Sequence, residues 1–170
     1  MPNLPPYEFY HLKVGNLPHK CPFLGRRPAW SCKANVEVFN SDGSLAIQNP
    51  IPARWTSQPE PTLPSIADGK HVNLLDVAKI IAGRKEDVHQ HEDQQISIAI
   101  KFEGENECYI FSNESYAYAA WKNPAWRLET GTYRLRVTVF YERGNSRDDF
   151  ELCNLGPSRN DMHLRLYAKP

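Results

Sequence analysis

The segment Gly131-Thr132-Tyr133-Arg134-Leu135-Arg136-Val137-Thr138-Val139-Phe140-Tyr141 constrains the chain more than any other. Tyr133, Leu135, Val137, Val139 and Tyr141 alternate with Arg134, Arg136 and Thr138, the period of two that a half-buried strand requires. One face is expected in a core and the other mostly in water. Gln95 to Phe102 repeats the pattern, with Ile96, Ile98, Ile100 and Phe102 expected on one side and Gln95, Ser97, Ala99 and Lys101 on the other. Glu103-Gly104-Glu105-Asn106 reads as a polar turn into Cys108-Tyr109-Ile110-Phe111, which makes 95–112 a predicted hairpin. A second hairpin joins the long strand to Phe150-Glu151-Leu152-Cys153 through Arg143-Gly144-Asn145-Ser146-Arg147. Met162, Leu164, Leu166 and Ala168 give a last strand after the turn at Gly156-Pro157. Near the start, Phe9 to Val14 fits a strand, and Cys32, Ala34, Val36 and Val38 alternate with Lys33, Asn35 and Glu37 before a turn at Asp42-Gly43.

Proline breaks this regularity. Eleven of the fourteen prolines lie before residue 65 and none between Ser65 and Asn123. From Asn49 to Pro64 they come too densely for a central strand or a helix interior, because each removes a backbone donor and restricts the residue before it. The stretch 49–64 is expected to be loop or sheet edge. Residues 72–82 fit two patterns: Leu74, Val77, Ala78 and Ile81 make a helical stripe, and Val72, Leu74, Ala78 and Ile80 a strand interrupted by Asp76. A strand is expected there because the remainder is β. With 170 residues there is room for one substantial domain, 1–170. The expected fold class is all-β: an antiparallel sandwich of seven to nine strands.

Twenty Lys and Arg balance twenty Asp and Glu, which argues against a nucleic-acid binder working through general phosphate neutralisation. Arg26-Arg27 is too short a basic run to change that. No apolar run of signal-peptide or membrane-span length occurs, so a soluble, cytoplasmic chain is expected, with Cys21, Cys32, Cys108 and Cys153 as reduced thiols.

The pattern Trp126 to Val139, with its Gly-x-Tyr step at Gly131, Thr132 and Tyr133, resembles the late strand pair of immunoglobulin-like sandwich modules. More of the chain, residues 9–153, resembles a group of uncharacterised prokaryotic β-sandwich domains: Tyr10-His11-Leu12-Lys13-Val14, Cys32-Lys33-Ala34, Pro52-Ala53-Arg54-Trp55, Gln58-Pro59-Glu60-Pro61 and the Gly131–Val139 strand. The resemblance implies an immunoglobulin-like fold and no known activity. In that group the sandwich often follows membrane-spanning helices, which makes a place in a membrane-anchored protein one expectation.

Motifs for catalysis are sparse. There is no GxSxG, GxxxxGK[ST] or GxGxxG. His89, His91 and Asp93 alternate at a spacing from which imidazole and carboxylate ligate zinc or copper, yet their flanks read as a solvated loop. His19, Cys21 and Cys32 form a second conceivable set without a fourth ligand. No metal or other cofactor is expected. Glu103, Glu105 and Glu107 read as turn charges and not as a glycosidase pair.

Aromatic residues give the stronger signal. Tyr116, Tyr118, Trp121 and Trp126 place four large rings just before the best strand, where flat rings serve as interface anchors, stack on sugars or pack on the sandwich. Trp55 beside Arg54 is a further candidate, as a cation–π pair in the proline-rich loop. The expected function is therefore a non-enzymatic binding or protein-interaction module. The alternatives are a carbohydrate-binding module that uses exposed rings and, less favoured, a metal-dependent enzyme. The partner expected is a protein or a glycan.

Overall fold

The computed structural model describes residues 4–16 and 28–168. Its first strands are β1 (Tyr7–Gly15), β2 (Ala29–Phe39), β3 (Ile51–Pro52), β4 (Arg54–Trp55), β5 (Thr62–Ala67) and β6 (Lys70–Leu75). A short helix α1 (Val77–Ala82) follows, and then β7 (Glu86–Val88), β8 (Asp93–Phe102), β9 (Cys108–Ile110), β10 (Arg127–Leu128), β11 (Gly131–Tyr141), β12 (Gly144–Asn154) and β13 (Met162–Leu166). One sheet has the order β1-β8-β9-β10, with β4 also pairing β8; a second has the order β13-β12-β11-β2-β3, with β7 also pairing β2. The hairpin β5–β6 forms a separate two-stranded sheet. Every strand pair is antiparallel.

The main core draws on both large sheets: Val36, Leu135, Val137 and Leu152 come from the second, and Trp55, Ile96, Ile98 and Cys108 from the first. In β11, Leu135 and Val137 are buried as the alternation requires, while Arg136 on the other face bonds Asp149 of β12 at 3.0 Å. The predicted hairpins at 95–112 and around Arg143 both form. The second is tighter than expected, since pairing continues to Tyr141 and Gly144 and leaves Glu142 and Arg143 as the turn.

Strand β8 departs from its sequence pattern. The pairing with β1 steps from Tyr10 opposite Ala99 to His11 opposite Ser97, so Ile98 has no β1 residue opposite it. An extra residue in a strand reverses which face its neighbours occupy. Ile96, Ile98 and Ala99 consequently join the main core, whereas Ile100 and Phe102 join a second cluster with Tyr109 and Phe111. The four apolar residues predicted on one face are thus divided between two, and the first sheet is covered on both sides. Ser97, Ala99 and Lys101, expected on the outer side, are buried.

Two other expectations change. The proline-rich stretch is not merely loop or edge: β3 pairs β2 in one sheet, and two residues on β4 pairs β8 in the other, so the chain crosses between sheets at Ala53. Short strands either side of a crossing need few ladder donors, which is why Pro52 is tolerated. Residues 72–82 are strand only to Leu75. Asp76, read as an interruption, caps α1 instead: its carboxylate accepts from the Lys79 amide at 3.2 Å. His19, Cys21, Arg26 and Arg27 lie outside the described residues.

Candidate functional site

After β9 the chain makes three short 3-10 turns, Asn113–Ala117, Ala119–Trp121 and Pro124–Trp126. The Ser115 hydroxyl oxygen accepts from the Ser112 amide at 3.1 Å at the start of the first. Lys122 ends the second and Asn123 starts the third, its side chain accepting from the Ala125 amide at 3.0 Å. These turns lay residues 113–121 over the second apolar cluster, on the outer face of the first sheet.

Trp121 is the hub of that cluster. Its ring centroid lies 5.4 Å from Tyr7, 5.8 Å from Phe9, 6.1 Å from Tyr116 and 6.5 Å from Phe111, all edge-on or tilted. Holding it there requires unusual backbone. Ala120 (φ +53°) and Trp121 (φ +59°) are consecutive left-handed residues, at roughly 1–2 kcal/mol each for a side chain with a Cβ. Ring burial and edge-to-face contact offset that strain. The segment is also pinned by ion pairs: Arg84 with Glu114, and Lys122 with Glu105, the Lys122 ammonium standing 4.3 Å over the Phe102 ring.

Arg54 lies beneath this layer. It is 6% exposed; its guanidinium donates to Asn113 Oδ1 at 2.7 Å and to the Gln58 carbonyl at 2.6 Å, and sits 5.6 Å from the centre of the Tyr116 ring. The expected cation–π pair therefore forms with Tyr116 and not with Trp55. Trp55, pairing with Ile96, is wholly buried in the main core and does not reach a surface. Burial pushes the Tyr116 hydroxyl up to about 12; Arg54 pulls it down, and the nearby Glu60 carboxylate adds to the rise. Tyr116 is thus a neutral donor at physiological pH.

Between this ring layer and the β5–β6 hairpin lies an open cleft of about 430 Å³. Glu60, Thr62, Asn73 and Leu75 form one wall, Tyr116 and Trp121 the other. Thr62 stands opposite Leu75 and Pro64 opposite Asn73, so one face of the hairpin supplies its side of the cleft. Of the six sequence candidates, Tyr116 and Trp121 line the cleft and Arg54 supports it from below. Tyr118 is exposed beside it, and Trp126 packs against the main core instead. Glu60, Thr62 and Asn73 were not singled out by sequence, because nothing local marks a residue that reaches the rings only through hairpin geometry.

The other candidate chemistry does not assemble. His89 packs edge-on against Trp30 at 5.4 Å, and Asp93 pairs with Lys13 at 3.7 Å. Among the described residues no group of three or more His, Cys, Asp or Glu side chains is placed to hold a metal ion. Ser97 Oγ lies 3.2 Å from His11 Nδ1, but the hydroxyl is buried, and a nucleophile needs both access and an orienting third group. Cys32, Cys108 and Cys153 are buried free thiols. A larger cleft of about 840 Å³ opens between β1, β2 and the β11–β12 hairpin; Asn16 and Pro28, the residues next to the undescribed stretch 17–27, stand on its wall. Among the described residues no helix is long and apolar enough to cross a membrane. No family model matches the chain, and no curated protein or solved structure is significantly similar to it.

Proposed function

We propose that this protein is a non-enzymatic binding module on an immunoglobulin-like sandwich, and that it takes an apolar or aromatic side chain of a protein partner into the cleft between the β5–β6 hairpin and the Tyr116–Trp121 layer. The observation that carries the reading is the left-handed pair Ala120 and Trp121, whose strain is retained at the place where rings and polar groups converge. The two sheets that share one core support the sandwich assignment. The free thiols are in keeping with a reducing compartment.

A protein ligand is favoured over a glycan by ring geometry. The Tyr116 and Trp121 planes meet at 73°, which makes a notch for an inserted side chain and not a flat platform for a sugar face. Glu60, Thr62 and Asn73 supply polar groups at its rim.

The test uses the full chain, panned against a displayed library of random peptides and, in parallel, a panel of defined oligosaccharides. Peptides with an aromatic or long apolar residue are expected to bind and to weaken about tenfold or more on Thr62→Arg, which fills the cleft from a half-buried hairpin position. Peptides that bind Thr62→Arg equally well would overturn the assignment. Oligosaccharide binding lost in the same variant would make the ligand a glycan.

A further inference from the structure

We propose that two copies of this chain pair edge to edge through β6, joining their β5–β6 hairpins into one four-stranded antiparallel sheet. Asp68 (φ +50°) and Gly69 (φ +71°) form a two-residue turn with both central residues left-handed. Such a turn makes Ala67 and Lys70 a hydrogen-bonded pair, and every second pair after it likewise. Ser65 with Val72 and Leu63 with Leu74 therefore exchange ladder bonds, while the main-chain groups of Thr62, Pro64 and Ile66 point outward from β5, and those of His71, Asn73 and Leu75 outward from β6. Among the described residues the hairpin has no third strand, and a lone two-stranded sheet is marginal in water.

Its two edges are unlike. On β5 the middle outward position is Pro64, which has no N–H, and the Thr62 carbonyl already accepts from Lys79 Nζ at 2.9 Å. That edge is guarded. Directly opposite Pro64, on β6, stands Asn73, whose N–H and C=O have no partner among the described residues.

A second copy fits this edge because the register is self-complementary. A twofold axis perpendicular to the sheet keeps each residue on its own face, and an axis through Asn73 pairs Asn73 with its counterpart and His71 with the partner copy's Leu75. All three pairs use outward-pointing groups, each pair exchanging two ladder bonds. Val72 then falls opposite the partner copy's Leu74 at the closely spaced positions between them. Leu74 is 53% exposed in the single chain and Leu63 beside it 45%, so the joined face buries apolar surface that now meets water. A formal net charge of zero leaves no long-range repulsion between copies. The pairing uses the hairpin edge and does not depend on what occupies the cleft.

Sedimentation velocity of the full chain, from micromolar up to about 0.5 mM, reads the result directly, since an association weaker than about 1 mM is negligible here. The expected mass rises toward twice the 19.5 kDa of one chain. Asn73→Pro places the β5 guard on β6 without removing a hairpin ladder bond, and it is expected to give the single-chain mass with the same circular dichroism. Leu74→Lys, which leaves every backbone group in place, is expected to shift the equilibrium toward the single chain even if Asn73→Pro does not fold. A wild type at the single-chain mass throughout would overturn the proposal and leave the edge to a strand of another protein. A dimer that survives Leu74→Lys and a folded Asn73→Pro would place the contact elsewhere and overturn it equally.

Discussion

Lys101 Nζ donates to Asn154 Oδ1 at 2.7 Å and so ties β8 of one sheet to β12 of the other, with both side chains wholly buried. The ammonium also donates to the carbonyls of Glu105 at 2.7 Å, Asn106 at 3.2 Å and Glu107 at 3.3 Å, and Asn154 Nδ2 donates to Asn106 O at 2.7 Å and Glu129 O at 3.1 Å. A buried charge held by carbonyl dipoles depends on every acceptor. Asn154→Leu withdraws the side-chain acceptor from the buried ammonium and one donor each from the Asn106 and Glu129 carbonyls, which keep Lys101 Nζ and the Tyr133 hydroxyl, and it should cost about 3 kcal/mol in urea unfolding. A loss under about 1 kcal/mol would mean that water enters and repairs the network.

Trp121→Ala removes the ring that four others pack against. Its partial exposure reduces the cost below that of a wholly buried tryptophan, to about 2–3 kcal/mol, or roughly 5–10 °C in thermal midpoint for a chain of this size. Tyr118→Ala, at a position 42% exposed, is expected to leave the midpoint within about 1 °C. Calorimetry on the two variants separates a ring that is structural from one that is only displayed. Equal midpoints would show that the Trp121 indole is not held by its neighbours.

Arg54→Lys keeps the charge and loses the fork. One nitrogen cannot reach both Asn113 Oδ1 and the Gln58 carbonyl, and the stacked plane against Tyr116 goes with it. A stability loss of about 2 kcal/mol is expected, measured by chemical unfolding. A neutral outcome would mean that Arg54 supports neither Asn113 nor Tyr116.

Strands with one covered face were legible in the sequence: Leu135 and Val137 alternate with Arg136, and the structure buries them accordingly. Period two fails where a strand is covered on both faces or carries an extra residue. In β8 both occur, so Ile98 and Ile100, two residues apart, enter different clusters. The helix α1 was hidden because it spans only six residues and because Asp76 reads equally as a break or a cap until the Lys79 amide is seen to meet it. Among the ring candidates, Trp55 was placed at the surface by its prolines, yet Ala53 carries the chain between sheets and Trp55 into the core. Tyr116 and Trp121 were found by their density in sequence. Their partners Thr62 and Asn73 were not, since only the left-handed turn at Asp68 and Gly69 brings that hairpin face into line with them.

Cys108 lies opposite Lys101 across the β8–β9 pair, wholly buried. Burial pushes its thiol up to about 12 from an ordinary value of 9.0, with the Lys101 ammonium pulling the other way. Between those values the unfolded chain gives up the thiol proton and the folded chain keeps it, so the folded state binds more protons and stability falls as pH rises. The contribution is complete below about 9 and is lost progressively up to about 12, at most about 4 kcal/mol over the window. Tyr10 and Tyr116, both raised by burial from 10.0 to about 12, act with the same sign above 10. The thermal midpoint is therefore expected to hold from neutral pH to about 9 and to drop steeply beyond it. Cys108→Ala should make the curve shallower between about 9 and 10, where the tyrosines contribute little and the Cys32 and Cys153 thiols, also raised from 9.0 by burial, supply the slope that remains, and leave the fall above 10. Midpoints recorded against pH for both proteins decide the matter: a variant whose curve runs parallel to the wild type between 9 and 10 would show that the thiol is not the group responsible.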